Sequence, residues 1–525
     1  MFPEKIHRFL FLFGLFGLGF GMMMGAVPTS VPQLVLFGNW ILEVDFRRKW
    51  AQLKTNKIFW ALSSVFFVHL LGLLYSQDLQ AAVDDARTKL PLMLLPLFFF
   101  TAKPAITQKE FYNALYFFIA GCLVNTLWCL FYSFVLHHNE VVRDASRFMS
   151  HIRLGLYLNI AIATCVYFAV KAENFYKRAG MILLSVYFVF VLYILGLASG
   201  LANFAILFLL VLCVIIYRQR TGIKVAGLII LVGFIALLVN YVAGIKESQL
   251  NVKTTKNSEL LQRSPSGRPY LHFETKGQKE NGHYVQINVQ PEELQREWKK
   301  LLPADSFNYS PPHNLERYVV LLRYLSSKGL NKDSAGIASL NEEDKENIRK
   351  GISNYEYPSW SYLHKRTYEL VNEYDEFVNS RGINGHSLTM RLYFWKAAVY
   401  LIKKNILFGV GTGDVQAELN KAYIETHSPL KEEWYKRPHN QFLTITVALG
   451  VTGLLVFLWS IIYPGFVLRN FFPKLFWPFF IISIVSFFLE DTLETQAGCT
   501  FYAFFIALFI VIAFNRKSEV INASS

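Results

Sequence analysis

The sequence predicts an all-α polytopic membrane protein with about twelve transmembrane helices and one large mixed module outside the bilayer. Three observations make that prediction. Hydrophobic residues form 53% of the 525-residue chain and charged residues only 17%, with a mean hydropathy of +0.30, a balance foreign to water-solvated globules. Twelve apolar runs are long enough, or nearly so, to cross about 30 Å of hydrocarbon as helices. The formal charge of +14 comes largely from basic residues in short loops between those runs. Such a distribution signals membrane topology and gives no nucleic-acid-binding face.

The runs lie at about 9–27, 30–44, 58–75, 90–102, 111–136, 154–171, 180–198, 200–217, 225–244, 441–464, 475–490 and 498–515, the second and fourth being short. With the N-terminus inside, the inner connections carry Arg47, Arg48, Lys49, Lys54 and Lys57, then Lys103 and Lys109, then Lys171, Lys177 and Arg178. Further on they carry Arg218, Arg220 and Lys224, then Arg469 and Lys474, and finally Arg516 and Lys517. Losing one short run would invert everything downstream, so the regular basic pattern supports twelve spans and two cytoplasmic termini. The first run follows Lys5 and Arg8 and ends in Met22-Met23-Met24. It lacks a small-residue cleavage site and reads as a retained helix. All five cysteines fall in apolar runs without metal-ligand spacing and are expected in the core, with no disulfide framework.

The outer side carries the acidic stretch Asp78–Asp85, the turn Glu490-Asp491…Glu494 and an excursion from about Gly244 to His439. The chain therefore divides into a transmembrane bundle at 1–244 (about nine helices), a loop module at 245–440, and about three further spans at 441–525. Within the module, Tyr284–Val289 alternates like a strand. Pro291–Leu302 and Pro312–Lys328 read as amphipathic helices, the second closed by Gly329, and Ser359–Val378 as a helix capped by Ser359. Residues 387–404 place Leu388, Leu392, Trp395, Ala398, Val399 and Ile402 on one face, as in a helix lying along a membrane surface.

The chemistry-bearing residues collect near the return to the membrane. His439 stands where polar sequence gives way to a hydrophobic helix, a costly place for an imidazole. It is either a functional base or an interfacial histidine satisfied by a carbonyl. His427 and His386 share its module, but no HExxH or close His/Cys pair accompanies them, so no metal is assigned. Arg143, Arg147 and Arg153 cluster on an outer loop against the positive-inside trend. Arg153, at the start of the sixth span, and Arg391, on the surface helix, suit two-point capture of a phosphate; the alternatives are that the loop arginines snorkel or pair with Glu140 and Asp144, and that Arg391 is a solvated helix charge. The acidic group Glu490-Asp491-Thr492-Leu493-Glu494 holds a base, orients the histidine, or is an exposed acidic turn, the last being slightly favoured. Gly409-Val410-Gly411-Thr412-Gly413 has no preceding strand and no Walker lysine, so it reads as a tight turn and not a nucleotide loop.

His439-Asn440, nine residues (441–449), then Gly450-Val451-Thr452-Gly453 resemble the pattern of the O-antigen ligase and polymerase superfamily, which also includes bacterial protein O-oligosaccharyltransferases. Arg391-Leu392-Tyr393-Phe394-Trp395 and Phe408–Gly413 resemble the same family, as does the layout of many spans with one late outer loop. The resemblance implies a GT-C-like, metal-independent, inverting glycosyltransferase of the bacterial inner membrane, with no cofactor and the large loop periplasmic. It implies transfer of a glycan from undecaprenyl diphosphate to a hydroxyl on lipid A-core, on another glycan, or on a protein. His439 would be the catalytic base and Arg153, Arg391 and Arg147 the diphosphate ligands. Asn440 would hold the backbone or an acceptor sugar, and Gly450 and Gly453 would let a neighbouring helix pack close. A lipid-linked glycan transporter is the competing class; it needs no base at 439 and commonly shows internal repeats, which this sequence lacks.

Overall fold

Each of the twelve apolar runs has its own helix in the computed structural model, which describes residues 3–136, 148–250, 260–273, 277–301, 313–378 and 387–524. The chain forms two compact units, 1–215 with 391–525, and 216–390. In the first unit α1 (Glu4–Gly21), α2 (Ala26–Leu42), α3 (Phe46–Lys54), α4 (Lys57–Leu73), α5 (Leu79–Lys89) and α6 (Pro91–Thr101) are followed by α7 (Gln108–Phe131), α8 (His151–Lys171), α9 (Phe175–Ile194) and α10 (Ala198–Tyr217). The second unit contains α11 (Thr221–Leu250), α12 (Pro291–Leu301), α13 (His313–Ser327), α14 (Ser334–Ala338), α15 (Glu342–Arg349) and α16 (Tyr362–Val378). The chain returns to the first unit along α17 (Ser387–Lys404), then α18 (Val415–Glu425), α19 (Gln441–Val467), α20 (Phe476–Leu489) and α21 (Gln496–Ser524).

Among the described residues seven helices, and not twelve, have the length and apolarity to cross a bilayer: α7 to α11, α19 and α21. An eighth is reached if α3 and α4, bent by 94° at their junction, count as one broken span. The shortfall has local causes. α1 has Glu4, Lys5 and Arg8 within its 18 residues. α6 has only 11 residues, starting at Pro91 and ending just before Lys103-Pro104, and is therefore about 16 Å long. α20, with 14 residues, stops at Glu490.

The last helix holds the first unit together. From Cys499 to Ala513 every side chain of α21 is buried, because the run has no polar face to offer solvent or lipid. Aromatic pairs tie it to its neighbours: Phe99–Phe504 and Phe100–Phe514 to α6, Phe111–Phe509 and Phe118–Phe505 to α7, and Phe479–Phe505 to α20. Small residues allow a close crossing of α8 and α10, where Gly155 and Gly200 meet and the Asn159 amide donates to both glycine carbonyls at 2.7 and 2.9 Å. Four of the cysteines are buried as expected, but Cys213 on α10 is exposed.

In the second unit α11 is apolar and exposed along its whole span window, and its Tyr241 hydroxyl meets His364 Nδ1 on α16 at 2.7 Å. The rest has a core of its own, with Val289, Leu294, Leu321, Tyr324 and Leu325 fully buried. The expected strand at 284–289 is shorter than its alternation suggests. Lys279–Glu280 and His283–Tyr284 form a hairpin of two-residue strands, and Val289 makes only isolated bridges, to Leu271 and to Lys332. Gly329 ends α13 at φ +68° as expected, but the cap of α16 is Ser361, which accepts from the His364 N–H, and not Ser359.

Candidate functional site

The site is built where α19 begins and where the turn between α20 and α21 folds back beside it. Asn440 caps α19, its side-chain oxygen accepting from the Leu443 N–H at 3.1 Å while its amide donates to the Phe488 carbonyl at 3.3 Å. That side chain is thus spent on backbone, the first of its two expected roles. One residue earlier, His439 has φ +49°, a conformation non-glycine residues adopt only when held. The hold is Asp491. Its two carboxylate oxygens accept the consecutive N–H groups of His439 and Asn440, each at 3.0 Å, and also the Thr444 hydroxyl at 2.6 Å.

With the backbone fixed, the imidazole meets Glu490. Nδ1 lies 3.1 Å from Glu490 Oε2, and the other carboxylate oxygen accepts from Arg391 at 2.9 Å. A carboxylate only accepts, so Nδ1 carries a proton, and in the neutral ring Nε2 is then the lone-pair nitrogen. Nε2 has no hydrogen bond among the described residues. Phe394, one turn from Arg391 on α17, covers the ring with centroids 5.8 Å apart. The lead-in to His439 is gripped by α17 and α18: Trp395 donates to the Pro438 carbonyl at 2.9 Å, and Tyr423 donates to the Lys436 carbonyl and stacks on Tyr435. His439 is 36% exposed, Arg391 23% and Glu490 15%, so the three face outward as a set.

Beneath them lies a second ionic layer. Glu494 accepts from Lys89 at 3.0 Å, Arg437 at 2.5 Å and the Gln441 amide at 2.9 Å. Lys89 also reaches Asp85 at 2.6 Å, and the Leu493 N–H donates to the Gln441 side chain. Burial alone would raise the Glu494 carboxyl, but the facing Lys89 and Arg437 cations overcome it and hold Glu494 well below the usual carboxylate range. Burial likewise opposes the charge on Lys89, and Glu494 and Asp85 reverse the effect and raise it. Burial raises Asp491, against the opposing pull of the Thr444 hydrogen bond.

A third feature fixes the depth of α19. At Gly450 the helix breaks (φ +66°, ψ −167°), and the segment after α17 crosses the break. The Val410 and Gly411 N–H groups donate to the Val447 and Ala448 carbonyls, each at 2.9 Å. In the other direction the Val451 and Thr452 N–H groups donate to Ile406 and Leu407 at 2.8 and 3.3 Å. Two carbonyls before the break and two N–H groups after it thereby find partners, as an apolar surrounding demands of freed backbone. The glycine run continues to the top of α4 and start of α5: Tyr75 donates to the Phe408 carbonyl, the Gly413 N–H to the Ser76 hydroxyl, and Asp414 accepts the Gln77 and Asp78 N–H groups.

Of the residues singled out from sequence, His439, Asn440 and Arg391 converge, and the structure alters what two others do. The neighbour packed against Gly450 is a loop and not a helix, and Gly453 faces the side chain of Leu449 in its own helix. Arg153 lies in the first turn of α8, one turn before Tyr157, whose hydroxyl donates to the Ala497 carbonyl at 2.9 Å. It therefore stands near the same turn, but no hydrogen bond joins it to His439, Arg391 or Glu490 among the described residues. Arg147 and Arg143 lie outside the described residues, as does His386. No group of three His, Cys, Asp or Glu side chains among the described residues is arranged to hold a metal. The favoured reading of 490–494 as an exposed acidic turn is overturned: all three carboxylates are engaged. Lys89 and Asp85 were missed, because an i, i+4 pair on an amphipathic helix looks like ordinary surface charge. Arg437, two residues before the histidine, was the available signal.

Residues 355–458 match the family model described as O-antigen ligase, which places this stretch in the O-antigen ligase superfamily and supports a ligase- or polymerase-type glycosyltransferase class. The matched stretch includes Arg391, the glycine run, His439, Asn440 and Gly450 but not the acidic turn that engages them. No curated protein sequence matches the chain.

Proposed function

We propose that this protein is an O-antigen ligase-like glycosyltransferase that moves a glycan from undecaprenyl diphosphate to an acceptor hydroxyl at the periplasmic face of the inner membrane. One observation carries the reading: a single carboxylate, Glu490, joins the His439 imidazole to the Arg391 guanidinium at the mouth of α19. The pair supplies a proton acceptor and an anion ligand side by side. As the acceptor oxygen bonds to the anomeric carbon from the face opposite the leaving group, its proton passes to His439 Nε2. The C1–O bond breaks with its electron pair on the diphosphate, and configuration inverts. Glu490 accepts from Nδ1–H throughout and balances the imidazolium that forms. Arg391 spends one of its five N–H donors on Glu490, which leaves others for diphosphate oxygens. Arg153, half-buried at the same end, is the second proposed diphosphate ligand, and Arg147 the third. In this reading His439 lies outside and both termini lie in the cytoplasm, which the basic residues of the short loops support.

The test is transfer by purified protein from an undecaprenyl-diphosphate-linked glycan. His439→Ala should lower the rate on the order of a hundredfold or more with donor binding nearly unchanged. Arg391→Ala should weaken donor binding, and lysine there should restore it only in part. Donor binding lost in His439→Ala would make this residue a ligand and not a base. Full transfer by Arg391→Ala would return that arginine to a structural ion pair.

A further inference from the structure

At the end of the first unit opposite His439, the C-terminal turns of α19, α21 and α6 and the start of α4 surround a cavity of about 610 Å³. From Gln441 to Tyr463 along α19 is on the order of 30 Å, so the cavity is remote from the site above. Its volume falls within the ~300–1,000 Å³ of small-molecule sites. Its lining is split by chemistry. Phe100, Val511 and Phe514 form an apolar wall, with Phe100 and Phe514 in edge contact at 5.7 Å. Lys57 and Lys517 stand at the rim with Asn56 and Asn515. No carboxylate lines the cavity, and neither lysine has a salt bridge or side-chain hydrogen bond among the described residues.

We infer that this cavity is a binding site for an anionic phospholipid, its phosphate between Lys57 and Lys517 and an acyl chain along the Phe100–Phe514 wall. Two unmatched cations above an apolar wall complement a headgroup that is anionic at one end and hydrocarbon at the other, and basic pockets between membrane helices recognise such lipids. A free phosphate would leave the wall wet. The Asn56 amide, and the second N–H of the Asn515 amide beside the one that donates to the Ile106 carbonyl at 3.3 Å, offer donors for the ester carbonyls of a phospholipid, which an isoprenoid phosphate lacks. The Asn56 side-chain oxygen is already spent capping α4, accepting from Ile58 and Phe59, so its amide is the group left for a ligand. The site is independent of the reaction proposed for His439.

The experiment uses the full chain in detergent micelles. Native mass spectrometry would compare retention of dioleoyl phosphatidylglycerol and dioleoyl phosphatidylcholine by wild type, Lys57→Gln/Lys517→Gln and Lys300→Gln, at a residue that does not line the cavity. Phosphatidylglycerol should be retained preferentially by wild type and by Lys300→Gln, and the double variant should lose that preference by roughly tenfold or more, as expected for two lysines facing a lipid phosphate. Both lysines sit at the rim, and a melting temperature equal to wild type in phosphatidylcholine would show the variant folded. If it melts lower, the single Lys57→Gln variant is read instead, with the same direction expected. Equal retention of the two lipids by wild type, or unchanged preference in the variant, would overturn the inference. So would displacement of phosphatidylglycerol by millimolar inorganic phosphate, which marks a free-anion site, or by equimolar undecaprenyl phosphate, which makes the isoprenoid the occupant.

Discussion

Replacing Gly450 by Ala tests whether the crossing of the broken helix sets the position of His439. Gly450 has φ +66° and ψ −167°, a region essentially reserved for glycine, and forcing a side chain into it costs about 1–3 kcal/mol. The new Cβ would lie 2.5 Å from the Phe408 nitrogen and closer still to the Leu407 carbonyl. These are backbone atoms that no rotamer change can move. Relief requires the 406–411 segment to back away, and that segment makes the four backbone bonds across the break and accepts the Thr452 hydroxyl at 2.8 Å. Two or three of these lost at about 1 kcal/mol each, added to the strain, give a cost of about 3–6 kcal/mol. That is a large fraction of a typical ~5–15 kcal/mol stability. The measurement is the melting temperature of purified protein in detergent, with transfer activity read in parallel. A fall of roughly 5–10 °C is expected. Gly465, on the same helix, is the control, because a methyl group added there would meet nothing within 4 Å. Alanine at that position should be neutral or stabilising by about 0.5–1 kcal/mol. Gly450→Ala melting within 2 °C of wild type, with full activity, would sink the idea, because it would mean the break is not required by the backbone.

Three further outcomes are expected. Glu490→Gln keeps the shape but removes the charge that balances the protonated imidazole, so turnover should fall about 10–100-fold. Donor KM should hold steady or improve as Arg391 is released; an unchanged kcat would remove Glu490 from the positioning role. Lys89→Ala leaves Asp85 and part of Glu494 unpaired in a site where Lys89 is fully buried, a loss of about 3–5 kcal/mol. It should appear as a lowered melting temperature that Lys89→Arg partly restores, and wild-type melting in Lys89→Ala would contradict it. In the second unit, burial pushes Lys332 down to about 7, with the Tyr284 carbonyl at 2.7 Å as its hydrogen-bond acceptor. A base lowered on folding binds fewer protons folded than unfolded between about 7 and the unfolded lysine value of ~10.4, so stability rises with pH across that window. From pH 7 to 9 wild type should gain about 2–3 kcal/mol relative to Lys332→Met; a constant difference in melting temperature would show Lys332 is not the group responsible.

Local sequence was enough to define the helical, membrane-bound class and the position of every apolar helix, because apolar length and turn chemistry act locally, but the shorter polar helices α3, α5, α14, α15 and α18 were not foreseen. It also isolated His439, Arg391, Gly450 and the glycine run, each an oddity in its own stretch: an imidazole at a hydrocarbon boundary, a guanidinium on a greasy helix, glycines where a span should be regular. Span count was less legible. Hydropathy registers that α6 and α20 are apolar, but Pro91, Pro473 and Glu490 stop them short of a bilayer's width. The partnerships came only with the folded chain. Lys89 and Glu494 are 405 residues apart, and His439 and Glu490 are 51 apart. No local pattern separates a carboxylate that clamps a distant backbone from one that faces water. Gly450 makes the same point from the backbone side. Its spacing from His439 was visible, but the carbonyls and N–H groups freed at a helix break must find partners, and which segment would supply them depended on where the chain after α17 was led. That segment is the glycine run, whose own sequence said only that it turns.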